Sequence, residues 1–515
     1  MTLVWASGYN GITDPDAQTY IAAVEAADGQ TIEGDVALAI NDFVVGCKLD
    51  GIWDAIKASC ILAGARTLSG ALVPLKGTAP TNNNFVSGDY NRETGLKGNG
   101  STKNLNSNRN NNADPQDSHH LSAFVSTANT STVAALISTT GADGASQLFT
   151  DTTAAPGQTF FRSRTTNSPL VFGAAGINNR TGFHGMSRFS STAMSGRVSS
   201  VTTQFSKSSI TPLNATIGVF NNGSTAAYTD ARLSFYSIGE SIDLEKLDTR
   251  TTQLMNGISY AVSPDADAQT YIQAVETADN RKLEFHVAAA INAFVVGCKA
   301  DGIWNAIKSS CILAGARTLA GALVPLVGAA PENGSVGSNQ FVEADYDRKL
   351  GLQGSKASPF PLLSANRLSS DDPQDNHHCS VYVTEQGTTS GNNVIVYVVS
   401  GLDYTQLYWY NNAVLTRSRE VTAFVSSNIS GLGATLLGIS RSASTEFKTR
   451  YYGTTATTSS TSNPPSNYEY RIFGAGNTTN FNGRATFYSI GENLDLALLD
   501  NRVSTLMTDI GAAIP

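Results

Sequence analysis

Apolar positions near the start of the chain follow a helical spacing. Ala17, Tyr20, Ile21 and Val24 fall at i, i+3, i+4 and i+7, the buried face of an amphipathic helix. Asp14 suits the N-cap and Pro15 the first helical position. A second face follows, with Val36, Ile40, Phe43, Val44 and Cys47. Asp50 then suits the cap of a third helix carrying Ile52, Ile56 and Cys60 and stopping near Gly64. Beyond Pro80 the period changes. Strand-length runs rich in Val, Ile, Thr, Phe and Tyr, such as His120–Ser126, Thr159–Arg164 and Thr216–Phe220, alternate with Gly, Asn and Ser clusters. The Asn-rich run Asn104–Asn112 reads as a loop. A strand at Arg232–Ile238 precedes a closing helix, capped at Ser241, whose stripe is Leu244, Leu247, Leu254, Met255 and Ile258. Three short helices bury only a small core, so they are expected to lean on the β part, on another copy or on a partner.

The whole pattern recurs. Asp16–Pro80 reappears as Asp267–Pro331 without a gap, with 49 of 65 positions identical. PQDSHHLSAFV at Pro115 answers PQDNHHCSVYV at Pro373, and RLSFYSIGESIDLEKLD at Arg232 answers RATFYSIGENLDLALLD at Arg484. The period is too long for a solenoid, so the repeats read as whole domains. The expected division is an N-terminal segment at 1–13, a helical module at 14–79, a β-sandwich with closing helix at 80–262, a second helical module at 263–330 and a second sandwich with closing helix at 331–515. The predicted fold class is α+β, mainly β. It is a tandem duplication in which each unit is a small three-helix segment, then a jelly-roll β-sandwich, then a closing C-terminal helix. The helical segments align without gaps while the middles of the sandwiches barely align, so the helical modules are expected to bury similar faces in both units.

Composition narrows the function. Charged residues make up 15% of the chain, its net charge is −8, and no Lys/Arg block exists to neutralise phosphates, which argues against nucleic acid as a partner. The opening MTLVWASGYNG lacks the basic start and apolar run of a signal peptide. No apolar stretch nears the ~20 residues of a membrane helix, so no membrane insertion is expected. Cys47, Cys60, Cys298 and Cys311 form two copies of one pair, with Cys379 left over. If Cys47 and Cys60 end successive helices, ten residues of helix separate them by ~15 Å, while bridged Cα atoms lie within about 7 Å. Buried thiols are expected instead.

Two resemblances add to this. GLKGNGSTKNL at Gly95, HLSAFV at His120 and FYSIGESIDLEKLD at Phe235 resemble strands of the concanavalin A-like or laminin G-like jelly-roll superfamily, as do GLQGS at Gly351, HCSVYV at His378 and FYSIGENLDLALLD at Phe487. This likeness spans residues 95–245 and 351–500. The stretch VVGCKADGIWNAIKSSCILAGARTLAGALVPL at Val295 is similar to sequences of tailed-bacteriophage virion structural proteins of the tail-fibre or appendage type. That resemblance implies a virion component synthesised in the host cytoplasm. Its partners would be other virion proteins and further copies of itself, with host surface polysaccharide as a further contact.

Two constellations are candidates for ligand binding. Asp114, Gln116, Asp117 and His119, with His120 beside them, recur as Asp372, Gln374, Asp375 and His377, with His378. Carboxylates and amides suit sugar hydroxyls. The alternative is a capped turn with the first histidine on the solvent face. Adjacent histidines point to opposite faces of a strand, a poor arrangement for a metal. Asp89, Tyr90 and Arg92 recur as Asp345, Tyr346 and Arg348. They suit either a groove with a stacking ring or a loop tied by an Arg–carboxylate pair. Arg66 and Arg317 each follow the third helix, where a generic role with the helix dipole is expected. The chain has no ExDxxE strand, GxSxG, HExxH or phosphate-cradling loop. No catalytic residue, metal or cofactor is therefore expected. The leading expectation is a non-enzymatic virion protein. The alternatives are a free carbohydrate-binding protein and a glycan-degrading enzyme using carboxylates distant in sequence.

Overall fold

The computed structural model describes residues 11–514 except 131–132, 152–157, 167–169, 173–179, 223–226, 335–338, 356–359, 388–391, 411–412, 423, 426–432 and 476–479. Most of the expected N-terminal segment 1–13 thus lies outside the described residues. The chain divides into two compact units, Met1–Ser263 and Pro264–Pro515.

In the first unit, helix α1 (Pro15–Asp28) is capped by Asp14, whose side chain accepts from the amides of Asp16 and Ala17, and it ends at Gly29 in the left-handed region. Helix α2 (Gly34–Leu49) buries Val36, Ile40, Phe43, Val44 and Cys47, as the spacing predicts. The third helix does not form. Gly51, at φ 71°, breaks the chain, a single 3-10 turn follows, and Ile56–Ile61 is a strand. It pairs antiparallel with the closing strand Arg232–Gly239, Cys60 opposite Tyr236. Five of its six residues are buried, so the run carries no alternation, and a short apolar run of this kind is the same in a strand and a buried helix. A one-turn helix α3 (Leu68–Ala71) follows, capped by Thr67. Asp28 accepts from Arg66 N, Thr67 N and Thr67 Oγ1 at 2.6, 2.9 and 2.6 Å. A Cβ at Gly70 would meet Asp28 Oδ1 at 2.3 Å, which is why glycine stands there.

The β part is a two-sheet antiparallel sandwich. One sheet runs Val201–Ser206, Ala193–Val198, Gly182–Arg188, His119–Thr127, Arg232–Gly239, Gly95–Lys97 and Tyr90–Asn91, with Ile56–Ile61 also on the closing strand. The other runs Leu170–Phe172, Gln158–Thr165, Ala145–Asp151, Val133–Ser138, Thr216–Val219, Asn104–Asn110 and Thr81–Asn83. Leu96, Leu105, Leu121, Val125, Phe161, Ile217 and Tyr236 belong to the core between them. The Asn-rich run is therefore a strand, not a loop. Asparagine is poor in strands, but here Leu105 and Ser107 are buried while the asparagines alternate with them, Asn83 Nδ2 donating to Asn104 Oδ1 at 2.9 Å.

Helices cover the opposite face of the first sheet. Helix α4 (Leu244–Val262) buries Leu244, Leu247, Leu254, Met255 and Ile258, and its cap is Asp243 rather than Ser241. Phe43 of α2 meets Phe235 of the closing strand edge-on at 5.5 Å between centroids. The closing strand is thus buried on both faces: Phe235 under the helices, Tyr236 in the sandwich.

The second unit has the same order of elements. Helices α5 (Ala266–Ala278), α6 (Phe285–Ala300), α7 (Leu319–Ala322) and α8 (Leu496–Ala513) stand where α1 to α4 do. Here too a strand, Ile307–Ile312, replaces the expected third helix, pairing with Arg484–Gly491. Phe294 meets Phe487 at 5.7 Å. The two helical segments therefore bury similar faces. All five cysteines are free and buried.

Candidate functional site

Tyr90 and Arg92, and Tyr346 and Arg348 in the second unit, clamp the β part to the helices. Tyr90 Oη donates to the carbonyl of Ala65 at 2.6 Å, and Arg92 Nε donates to the same oxygen at 3.1 Å. The rest of the Arg92 guanidinium forks onto Glu33 at the start of α2, at 3.0 and 2.5 Å, and also reaches the Gly64 carbonyl. Arg66 reaches Glu33 at 3.1 Å, so its partner is a carboxylate and not a helix dipole; it follows a strand, not a helix. In the second unit Tyr346 and Arg348 donate to Ala316 O at 2.8 and 3.0 Å, Arg348 forks onto Glu284 at 3.1 and 2.6 Å, and Arg317 reaches Glu284 at 3.1 Å. Burial works to raise the Glu33 carboxyl, but the hydrogen bond from Arg92 and the charges of Arg92 and Arg66 hold it below the usual value. Glu284 is held down in the same way. Asp89 accepts from Val86 N at 2.8 Å and pairs with Lys103, and Asp345 accepts from Val342 N at 2.9 Å.

The second constellation is a buried polar layer at one end of each sandwich. Asp114 forks onto Arg109, and Asp372 onto Arg367 at 2.9 and 2.5 Å; both aspartates are buried. Gln116 donates to Ser209 Oγ at 3.0 Å, and that hydroxyl donates to Asp117. Gln374 and Asp375 hold Ser462 likewise, at 2.9 and 2.5 Å. These bonds make the capped-turn reading the one the structure supports. Its detail needs correction, because His119 and His377 are wholly buried and neither faces solvent. Helices cover the outer face of this sheet, so both directions from the strand lead into protein. His120 Nδ1 donates to the Glu240 carbonyl at 2.5 Å and its Nε2 lies 2.9 Å from Ser237 Oγ; His378 meets Glu492 and Ser489 in the same way. Burial, helped by the Arg164 charge, pushes His119 down to about 3 against the pull of Asp114, whose Oδ2 lies 3.7 Å from its Nδ1. Burial pushes His120 and His378 down to about 4.

Sequence reasoning missed the arginines in this layer. Arg164 and Arg188, with Arg419 and Arg441 in the second unit, are fully buried. Arg164 donates to the carbonyls of Pro115 and Asn111, and Arg419 to those of Pro373 and Ser369. Arg188 Nε donates to Ser163 O at 2.9 Å. Arg164 and Arg419 both adopt φ 54°, a strained conformation held alike in the two units. Burial pushes Arg164 down to about 10. The signal was available: Arg-Ser-Arg stands at 162–164 and again at 417–419, and Ser-Arg at 187–188 and 440–441, inside otherwise poorly aligned stretches.

Among the described residues two further features of the second unit stand out. On the outer face of the second unit's second sheet, Arg471, Tyr397, Gln406 and Arg417 stand in one row across four strands. Arg417 lies 5.0 Å over the ring of Tyr404 and Arg471 5.1 Å over that of Tyr468. A cleft of about 430 Å³ lies within the same unit between α5, Trp304 and the strand Pro325–Val327. Among the described residues no group of His, Cys, Asp or Glu is placed to hold a metal, and no helix is long and apolar enough to cross a membrane.

No protein-family model and no curated protein sequence matches the chain. Solved structures similar to it share only coarse architecture. The botulinum neurotoxin serotype D binding domain is 11% identical, covering 41% of this chain and 52% of its own, with a TM-score of 0.29. The binding domain of Paraclostridial Mosquitocidal Protein 1 is 11% identical, covering 33% and 45%, with a TM-score of 0.23. A Trypanosoma rangeli sialidase is 9% identical, covering 71% and 62%, with a TM-score of 0.26. The chain thus spans about half the length of these binding domains. At such scores the likeness assigns the chain neither a fold, a family nor a ligand.

Proposed function

We propose that this chain is a non-enzymatic structural component of a tailed-phage virion, of the fibre, appendage or decoration type, built by tandem duplication of one helix-plus-jelly-roll unit. The observation that carries this reading is the clamp. In both units the arginines and the buried aspartates that stood as or beside ligand candidates are engaged in fixing the helices to the sheet and in closing one end of the sandwich. Acids and bases so engaged suit a rigid repeated block better than a reaction, which needs them within reach of a substrate. The similarity of the stretch at Val295 to virion sequences points the same way. Its partners are then other virion proteins and further copies of itself. Mass spectrometry and electron microscopy of purified particles test this: the chain is expected at stoichiometric copy number, and particles lacking it overturn the proposal.

A second role on the same particle is contact with host surface polysaccharide. The row Arg471–Tyr397–Gln406–Arg417 favours it, because the two guanidinium groups, Arg417 held by buried Gln406 at 2.6 Å, stand beside half-buried tyrosine rings that suit hydroxyl-rich rings. The full chain is then retarded on a column of host polysaccharide, and elution at the void position removes this role.

A further inference from the structure

The two units differ at one tryptophan in a way that identifies a ligand. Trp53 and Trp304 hold matching positions after α2 and α6. Each carries a lysine at 5.7 Å from its ring centroid, Lys48 and Lys299. The first unit adds a second cation: Lys76 Nζ lies 4.3 Å over the Trp53 ring. Asp16, whose carboxylate accepts from Trp53 Nε1 at 3.1 Å, is held below the usual value first by its hydrogen bond from Lys48, with the charge of Lys76 adding least. In the second unit the place of Lys76 is taken by Val327. Lys76 bridges Ser59, and Val327 pairs with Ser310, so the two stand at the same point of the sheet.

With valine there, a cleft of about 430 Å³ opens, lined by Asp267, Tyr271, Trp304, Val324, Pro325 and Val327. Trp53 is 5% exposed, whereas Trp304 is only half-buried. Lys308, also on the lining, is engaged with Glu492 at 3.1 Å. The strand Pro325–Val327 ends its sheet. Such an edge is a template for an incoming chain, and a lysine on it is a common guard against one. The first unit has that guard and the second does not.

We propose that the Trp304 cleft takes a lysine side chain presented by a partner polypeptide lying along the Pro325–Val327 edge. The ammonium sits over the indole face beside Asp267, reproducing in trans what Lys76 does on Trp53. The methylenes lie on Val324, Pro325 and Val327. The attraction of a cation to an indole face supplies selectivity, and the edge strand supplies main-chain pairing.

The test uses the full chain labelled with 5-fluorotryptophan, whose four tryptophans give separate fluorine resonances, with Trp304→Phe assigning one of them. The probe is the blocked peptide acetyl-Thr-Lys-Thr-methylamide. The Trp304 resonance is expected to shift saturably, with affinity weakened at least tenfold when norleucine replaces lysine. Val327→Lys, which installs the first unit's own residue, is expected to abolish the shift. Lys76→Val is expected to make Trp53 respond as well. A Trp304 resonance that does not move, or that moves equally for norleucine, overturns the proposal. So does a response that survives Val327→Lys. Tighter binding of free choline than of the peptide replaces a lysine-bearing partner with a quaternary ammonium ligand and equally overturns it.

Discussion

At the junction of helices and sheet, Glu33, Arg66 and Arg92 are matched one for one by Glu284, Arg317 and Arg348, with contacts of nearly the same length. On the outer face of the second sheet the two units part. The row Gly218, Ser138, Gln147, Arg162 in the first unit stands where Arg471, Tyr397, Gln406, Arg417 stand in the second: the Gln–Arg pair is kept, and Gly218 and Ser138 are replaced by Arg471 and Tyr397. A forked, partly buried ion pair tolerates no loss of one member, because the other is left with unpaired charge. The retained contacts therefore mark what holds each unit together, and the change of Gly218 and Ser138 to Arg471 and Tyr397 marks where the units differ.

The sharpest way to break this comparison is at the buried arginines. Arg164→Met leaves the Pro115 and Asn111 carbonyls without their donor, at an expected cost of about 3–5 kcal/mol. Hydrogen exchange should rise across residues 104–118 and stay unchanged across 363–376, and Arg419→Met should do the reverse. Unaltered exchange in both would show that the layer is not structural. The clamps come next. Arg92→Ala and Arg348→Ala should each cost about 2 kcal/mol, since each removes a forked pair and carbonyl bonds at sites still partly open to water. Chemical denaturation should give the two variants losses equal within about 0.5 kcal/mol; a larger gap would mean that the matching geometry hides different roles.

Much of this was legible in the chain. Ala17, Tyr20, Ile21 and Val24 are all buried, as their spacing required, and the stripe of α4 was equally plain. The strand Ile56–Ile61 was not legible, because helices on one side and the sandwich on the other bury it throughout and erase its alternation. Asn104–Asn110 was misread because propensity speaks for exposed side chains and says nothing of the two inward residues that decide it. The clamp was half legible. The Arg–carboxylate reading was right in kind, but the carboxylate is Glu33, 59 residues from Arg92, and not the adjacent Asp89. No local pattern carries a pairing over that distance. The buried arginines speak only through their recurrence in the second unit.

Histidines sharpen the comparison through pH. His119, His120 and His184 in the first unit are pushed by burial to about 3, 4 and 4, and His378 in the second to about 4. His377 is also driven well down, first by burial and then by Arg419 and Arg441. Unfolded histidine titrates near ~6.5. As pH falls below that value the unfolded chain takes up protons that the native one refuses. Stability is then lost at up to ~1.4 kcal/mol per pH unit per histidine until the native value is reached. The carboxylates held low, Glu33 and Glu284, add their own loss only at more acid pH. Between pH 6.5 and 4.5 the first unit should therefore weaken more steeply than the second. In the second unit Leu437, opposite Val381, stands where His184 stands opposite Ala123. His184→Leu should bring the two pH profiles together in hydrogen exchange corrected for intrinsic rates. Profiles that already coincide in the unaltered protein would remove His184 as the difference.

The smallest expected effect on stability falls on the divergent row, and it separates folding from recognition. Tyr404 lies half-buried on the outer face, its ring under Arg417. Tyr404→Ala should cost less than about 1 kcal/mol, the scale of a cation–ring contact open to water. Retardation on host polysaccharide should nevertheless disappear, because the ring and the guanidinium it aligns are lost together. The matching position in the first unit is Ala145, which lies opposite Thr165 and is fully buried, so the first unit has no exposed ring there. Retardation that survives Tyr404→Ala would move recognition away from this face, leaving its divergence as drift on a surface that meets nothing.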